Sequence, residues 1–292
     1  MIAIHPLHLT FRSDAALTLP QPPGALWRGA IGQRLRRDVC ITGANECTGC
    51  PFIARCDYGR LFEPLPPQTG VGRHFHEPPR PWILAPGSQR RVRAGETLDL
   101  DITLTGAGLR AWPSLRRTLG RLELGPAHLE LIDAQSRPPV PAGIAPRTEL
   151  AGEHPAPPPC PEAVRVYLCS PLRLQRQGRP IGPSELNAYA FFAALLRRLD
   201  ALGAAEVASQ EAPQLLTHVR DQVRLVNAQI DWRKGGRTSH SQGQRVPMGG
   251  IVGQFDLQGS IAPLWPWLWT GQWTHIGKSA VMGLGRYKLE AA

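Results

Sequence analysis

Apolar and polar residues alternate in short stretches of the chain, which is the pattern of half-buried β-strands. The clearest stretch is 96–104, where every second residue from Leu98 onward is leucine or isoleucine. Other stretches repeat their apolar residues every three to four positions, which predicts α-helices. Strands are predicted at residues 1–11, 96–104, 127–132, 163–174, 223–232, 246–257 and 285–290. Helices are predicted at residues 24–39, 109–119, 183–203 and 261–270.

The predicted elements follow a similar order in the two halves of the chain. The second half runs strand-helix-strand-strand-helix-strand, the order of a ferredoxin-like domain. The first half runs strand, helix, cysteine-rich insert, extended segment, strand, helix and strand. We therefore predict an α+β fold of tandem ferredoxin-like domains. The predicted divisions are a first domain at 1–136, a cysteine-rich insert within it at 40–60, a proline-rich linker at 137–162 and a second domain at 163–292.

The charge of the chain favours a polyanionic partner. Lysine and arginine total 33 against 23 acidic residues, which gives a net charge of +10. Nucleic acid is the first expected partner and an anionic membrane surface the second. No apolar run is long enough to span a membrane, and the first residues lack the basic and apolar regions of a signal peptide. A cytoplasmic location is expected.

Four cysteines lie close together in the first half and predict a metal site. They are Cys40, Cys47, Cys50 and Cys56, with one pair spaced C-x2-C. Disulfides are disfavoured in the cytosol, which favours zinc or an iron-sulfur centre bound by four thiolates, in a structural role. The alternative is a set of small buried thiols or a redox-labile cluster. His74 and His76 form a second, weaker candidate for metal ligands.

A glycine-rich loop at residues 271–287 is the strongest candidate for a binding site. Glycines allow close approach of a phosphate, and cations neutralise its charge. The loop is not a phosphate-binding P-loop, because five residues rather than four separate Gly271 from Gly277-Lys278-Ser279. Its candidate RNA-contacting residues are Gly277, Gly283, Gly285 and Arg286, and its candidate chemical groups are His275 and Lys278.

A second basic stretch, residues 231–250, joins two predicted strands of the second half. We expect it to form a cleft with the glycine-rich loop that fits a sugar-phosphate backbone. Its cations are Arg233, Lys234, Arg237 and Arg245, and it also carries His240. Arg34 and Arg37 on the first predicted helix are further candidates for phosphate contacts. Trp232, Trp273 and Tyr287 are available to stack on bases.

Several motifs, taken in order, resemble one known family. They are Cys47-Thr-Gly-Cys50, Cys56-Asp-Tyr-Gly-Arg-Leu-Phe-Glu63, Arg237-Thr-Ser239, Gly249-Gly250, His275-Ile-Gly-Lys278 and Gly283-Leu-Gly-Arg-Tyr287. The chain is similar to the CRISPR-associated endoribonucleases that process precursor RNA, which belong to the RAMP superfamily, and its cysteines match one branch of that family. The resemblance implies tandem ferredoxin-like (RRM/RAMP) domains, binding of CRISPR repeat RNA, and cleavage of precursor RNA to guide RNA without a metal cofactor.

The implied reaction is attack of a ribose 2′-OH on the adjacent phosphate. Many family members place a catalytic histidine in or after the first helix, but residues 24–39 contain none. The candidates here are therefore His240 and His275 as proton-transfer groups, with Arg237 and Lys278 stabilising charge. Two alternatives stay open: a non-catalytic subunit that binds guide RNA beside other CRISPR effector subunits, and a metalloenzyme using the cysteines or His74 and His76.

Overall fold

Two antiparallel β-sheets form the framework of the protein, one in each of two units, Met1–Pro155 and Ala156–Ala292. A computed structural model describes residues 4–66, 78–136, 157–238 and 245–292. The proposed linker at 137–162 lies mostly outside these ranges, so the predicted domain boundaries stay predictions.

The first unit alternates strands and helices as its hydrophobic pattern predicts, with several short additions. The described strands are β1 (Ile4–Ser13), β2 (Leu17–Thr18), β3 (Trp82–Pro86), β4 (Arg91–Val92), β5 (Thr97–Thr105), β6 (Leu122–Leu124) and β7 (Ala127–Ser136). The helices are α1 (Gly24–Val39), α2 (Asp57–Phe62) and α3 (Trp112–Leu119). A 3₁₀ turn at Gly106–Ala111 leads into α3, so the helix begins later than predicted.

The sheet of the first unit has the order β3-β5-β1-β7-β6, and its paired strands are antiparallel. The first four of these are the second, third, first and fourth strands of a ferredoxin-like domain. Strand β3 lies in the stretch predicted to be an extended segment. Its residues from Trp82 to Ala85 are all buried, so no alternation marked it as a strand.

The core of the first unit lies between this sheet and α1. Leu7, Leu9 and Phe11 of β1 are buried, whereas the residues between them are more exposed. The Phe11 ring lies 5.4 Å from the ring of Trp27, which places α1 over this buried face of the sheet. The helix has its predicted bounds because its buried residues recur at helical spacing.

The second unit contains two longer helices against its sheet, and one of them was not predicted. Its described strands are β8 (Ala163–Leu172), β9 (Gln175–Arg176), β10 (Arg179–Pro180), β11 (Val223–Arg233), β12 (Gly236–Thr238), β13 (Arg245–Pro247), β14 (Gly250–Gly259) and β15 (Tyr287–Ala291). Its helices are α4 (Ala188–Leu199), α5 (Ala205–Gln222) and α6 (Trp265–Thr274). No helix in the described ranges combines the length and apolar character needed to cross a bilayer.

The main sheet of the second unit has the order β11-β14-β8-β15, again antiparallel throughout. This is the same second, third, first and fourth arrangement as in the first unit. The predicted tandem ferredoxin-like fold is therefore confirmed. Phe191 of α4 anchors the core, since its ring lies 5.4 Å from Phe255 and 5.6 Å from Tyr287.

The predicted helix at 183–203 is shorter than expected. Residues Pro183–Glu185 form a 3₁₀ turn, and α4 begins after Asn187, whose side chain accepts a hydrogen bond of 2.8 Å from the Ala190 backbone N–H. This is an N-cap, which satisfies a backbone donor that the helix leaves unpaired. Gly203, with φ of 105°, marks the kink where the chain turns from α4 toward α5.

A partly buried ion pair links β8 to β14 and makes the unit's stability depend on pH. Asp256 is 3 % exposed and lies opposite Arg165, whose Nε and Nη2 donate to its two oxygens at 2.7 and 3.1 Å. The Arg165 hydrogen bond, followed by that from Asn227, lowers the pKa of Asp256 below its usual value. A carboxylate with a lowered pKa in the folded state stabilises the protein above its unfolded pKa of about 3.9.

We expect Asp256→Asn to lower the urea midpoint at pH 6, and the difference from the parent to shrink as pH falls below about 3.9. In that pH range the Asp256 carboxylate of the parent also becomes protonated, so the parent loses the stabilisation that the ion pair with Arg165 provides. Exposed Asp231→Asn is the matched control, and its difference from the parent should stay small throughout. A difference for Asp256→Asn that is constant down to pH 2 would contradict this account of the pair.

Candidate nucleic-acid interface

The end of β8 is the point at which the two basic stretches of the second unit meet. An added Cβ on Gly250, at the start of β14, would lie 2.6 Å from the Leu172 carbonyl oxygen. On Gly277, in the glycine-rich loop, it would overlap the Arg173 carbonyl oxygen. The Lys278 backbone N–H also donates to that oxygen at 2.9 Å. The chain around Leu172 and Arg173 thus contacts the base of the basic hairpin and the glycine-rich loop.

The glycines of the loop serve its own folding. Gly277, Gly283 and Gly285 have φ values of 85°, 86° and 71°, a region that L-residues with side chains rarely adopt. The Gly285 backbone N–H donates to Pro171 at 3.0 Å, and its carbonyl accepts from Ile276 at 3.1 Å. The close approaches at Gly277 and Gly285 are therefore to the chain's own backbone, where the sequence analysis expected a phosphate.

Cations gather at this end of the sheet, and we call them the cationic rim: Arg173, Arg233, Lys234, Lys278 and Arg286. Arg233, Lys234 and Lys278 are exposed, and Arg173 is half-buried. In the described chain these four form no ion pair with an acidic residue. Clustered cations without acidic partners create a positive potential that attracts polyanions.

Arg173 is the member of the cationic rim that the sequence analysis missed. It directly follows β8, and it is the first of three arginines, with Arg176 and Arg179, that the sequence analysis did not single out. Arg286 is held by its backbone, whose N–H donates to the Ser170 hydroxyl at 2.8 Å. Arg173 is identified by its place after a central strand, where Gly250 and Gly277 both approach the chain. These two glycines are distant in sequence, so the arrangement is seen only in the fold.

The basic hairpin extends from the same end of the sheet. Strands β12 and β13 pair from Gly236 opposite Pro247 to Thr238 opposite Arg245. The Gly235 carbonyl accepts from Met248 at 2.9 Å and closes the base of the hairpin. The backbones of Arg237 and Arg245 therefore lie in the paired part of the hairpin. His240 lies outside the described residues, as do His74 and His76.

His275, one of the two predicted proton-transfer groups, is buried. The residue is 2 % exposed. At the C-terminal end of α6, its backbone N–H donates to the Gly271 carbonyl at 3.0 Å. Burial, followed by the nearby charges of Arg286 and Arg198, lowers the pKa of His275 well below its usual value. The imidazole is therefore enclosed by the second unit, and the proton-transfer role predicted for His275 stays a prediction.

The aromatic candidates for base stacking differ in how deeply they are buried. Tyr287 is 1 % exposed, packs against Phe191, and donates its hydroxyl to the Leu268 carbonyl at 2.6 Å. Trp273 is half-buried and packs edge-on against Trp269 at 5.4 Å. Trp232 is half-buried at the end of β11. Tyr287 therefore belongs to the core and is not available for stacking.

The two arginines proposed on α1 differ in their surroundings. Arg34 donates from Nε to Asp38 at 3.0 Å and from Nη1 to the Arg121 carbonyl at 3.3 Å. Arg37 is exposed and has no ion-pair partner among the described residues. Arg34 thus supports the packing of the first unit, and Arg37 stays a candidate for phosphate contacts.

The four cysteines proposed as metal ligands are free thiols that line one small cavity. Within the described ranges, no group of three or more histidine, cysteine or acidic side chains already has the arrangement of a metal site. Cys160 and Cys169 are also free thiols and belong to the second unit.

Comparison with known families accounts for both halves of the chain. Residues 2–131 match a family model described as an N-terminal domain, AF_1859_N. Residues 166–287 match the model of the CRISPR-associated endoribonuclease Cas6. The second unit therefore contains the region that matches the Cas6 model. The match spans the end of β8, the basic hairpin and the glycine-rich loop, so the cationic rim lies within the residues that match the Cas6 model. No curated protein matches the chain.

Solved structures with Cas6 names share the fold of the whole chain. A Cas6 (TTHB231) product complex is 16 % identical, with a TM-score of 0.63, and the match covers 98 % of this chain and all of the other. A Cas6 (TTHA0078) product complex is 17 % identical, with a TM-score of 0.51, covering 99 % and 100 %. A partial Cas6-RT-Cas1–Cas2 complex is 12 % identical, with a TM-score of 0.56, covering 100 % of this chain and 46 % of that one. At these identities the likeness is one of fold.

Proposed function

We propose that the chain is an endoribonuclease that binds CRISPR repeat RNA and cleaves precursor RNA within each repeat. The observation that carries the proposal is the position of Arg173 between Gly250 and Gly277. It joins the basic hairpin and the glycine-rich loop at one end of the sheet, within the residues that match the Cas6 model. Arg233, Lys234 and Lys278 are exposed and form no ion pair with the acidic residues that the structure describes, so they can meet the evenly spaced charges of an RNA backbone.

The proposed reaction is an intramolecular transesterification at one phosphate of the RNA. The ribose 2′ oxygen attacks the adjacent phosphorus, its proton passes to a base, and the bond to the 5′ oxygen breaks as that oxygen takes up a proton. The products are a 2′,3′-cyclic phosphate and a 5′-OH. Lys278 and Arg237 stabilise the charge on the phosphorane, and no metal ion takes part. The cysteine-rich insert has no part in this reaction.

His240 is the proposed base, because the other histidine candidate is buried. It lies in sequence between β12 and β13, and the base of that hairpin directly follows Arg233 and Lys234 of the cationic rim. We assign His275 a positioning role inside the glycine-rich loop. Its backbone N–H donates to the Gly271 carbonyl at the end of α6, and Lys278 follows it in the same loop.

The test uses a synthetic repeat RNA in EDTA, with analysis of the product ends. The parent protein should cut it and leave a cyclic phosphate, and a repeat with one 2′-deoxy nucleotide at the cut position should bind and stay intact. His240→Ala should reduce single-turnover cleavage by about 10²- to 10⁴-fold, with repeat affinity unchanged. His218→Ala is the matched control and should cut normally. Cleavage of the 2′-deoxy RNA, or normal cleavage by His240→Ala, would overturn this mechanism.

A second function is a subunit that holds guide RNA beside other CRISPR proteins without cutting it. One observation favours it: in the described part of the second unit, the histidines are buried His275 and His218, which contacts the Ser260 carbonyl at 2.7 Å, away from the cationic rim. Tight repeat binding with no product under the conditions above would support this function. In both cases the expected place of action is the cytoplasm, with repeat RNA as the partner.

A further inference from the structure

Between α1 and α2, the cysteine-rich insert has a segment without helices or strands. From Ile41 to Arg55 the chain forms only bends, turns and irregular backbone. All of its side chains are exposed apart from those of Cys47, Cys50 and Ile53. Cys40 and Cys56, which flank the segment, are half-buried as well. The residues that this segment turns inward are therefore its thiols and a single isoleucine, which is too little apolar surface to order it.

The inward-facing thiols share one cavity. Cys40, Cys47, Cys50 and Cys56 all line a space of about 20 Å³ next to Arg36 and Tyr58. A volume of this size holds one water-sized particle, since a single water needs about 10–15 Å³. The thiols are not paired in disulfides. One small space lined by four reduced cysteines suits a single ion better than a cluster of several iron and sulfur atoms.

We propose that Cys40, Cys47, Cys50 and Cys56 bind one Zn²⁺ ion as four thiolates. Zinc accepts tetrahedral coordination by four cysteines and leaves no open position, which fits a structural site. The thiols must move together to reach coordination distance, because the described chain does not already hold them in a metal geometry. A segment composed of turns and largely exposed allows that movement.

The ends of the segment explain what the ion does. Cys40 is the C-cap of α1 and Cys56 the N-cap of α2, so one ion joins the end of one helix to the start of the next. Four thiolates and Zn²⁺ carry a net charge of 2−, and Arg36 lies in the cavity wall to offset it. Arg36 also donates to the Ala44 carbonyl and stacks over the Tyr58 ring at 5.7 Å. Zinc thereby orders the insert against α1 and α2.

The test measures metal in the full-length protein purified under reducing conditions. Elemental analysis should give about one zinc and no iron per chain, released when a mercurial reagent titrates the thiols. Replacement by Co²⁺ should produce the sulfur-to-cobalt charge-transfer and visible bands of tetrahedral thiolate coordination. In hydrogen exchange, the amides of 41–55 should lose protection when a chelator removes the metal. None of these measurements involves RNA, so they are independent of the proposed nuclease activity.

The matched variants are Cys50→Ser and Cys160→Ser. Cys160 is a half-buried free thiol of the second unit, so its replacement should leave zinc content and the cobalt spectrum unchanged. Cys50→Ser should bind zinc at least about tenfold more weakly. If Cys50→Ser fails to fold, the mercurial titration of the parent decides the question. Absence of tight zinc or cobalt binding by the reduced parent, or stoichiometric iron with sulfide, would overturn the proposal.

Discussion

Gly285→Ala is expected to lower the stability of the second unit strongly. Gly285 has φ of 71°, and an added Cβ would overlap the carbonyl oxygen of Ile276. The left-handed conformation costs alanine about 1–2 kcal/mol, and forced overlap with backbone adds about 1–3 kcal/mol. The free energy of unfolding, measured by urea denaturation, should therefore fall by about 2–5 kcal/mol.

Gly178→Ala is the matched control for this result. Gly178 has φ of 79° in the turn between β9 and β10, but nothing lies within 4 Å of an added Cβ. It should lose only the conformational part, about 1–2 kcal/mol. Equal losses for the two variants would mean that the contact between Gly285 and Ile276 has no energetic weight, and would contradict the view that the glycines of the loop serve its folding.

Removing two charges from the cationic rim should weaken binding of repeat RNA strongly. Arg173→Gln with Lys278→Gln keeps most of each side chain while it removes both positive charges. These residues are joined by the hydrogen bond from the Lys278 N–H to the Arg173 carbonyl, so their charges act on the same part of the RNA. We expect affinity to fall by about tenfold to a hundredfold, and the slope of log K against log salt to decrease by about 1.4 for single-stranded RNA.

The control removes the same charge from the opposite end of the sheet. Arg220 and Arg224 are exposed beside Val223, which pairs with Gly259, whereas Arg233 at the other end of β11 pairs with Gly250. Arg220→Gln with Arg224→Gln should leave affinity and salt slope nearly unchanged, because neither residue adjoins the glycine-rich loop. If both double variants lose affinity equally, the RNA responds to net charge alone and the assignment of the rim is wrong.

Most of the fold follows from local pattern, and its omissions have local causes. Helix α1 was predicted with its correct bounds because one face repeats apolar residues at helical spacing. Helix α5 was missed: it is rich in polar residues and contains Pro213, so it shows no clear apolar stripe. Strand β3 was missed because burial on both faces removes alternation. Its place in the sheet depends on pairing with β5, which is distant in sequence.

In the candidate site, too, some features could be predicted from local sequence and others depend on the tertiary structure. By itself the sequence determined the α+β class, the repeated order of elements, the excess of positive charge and the choice of Lys278 and Arg286 as candidate cations. These depend on composition and on short-range periodicity. Only the tertiary structure buried His275, joined the glycines to the chain's own backbone and identified Arg173. Those properties depend on contacts at the end of β8 between segments that are distant in the chain. Such contacts cannot be predicted from a local sequence pattern.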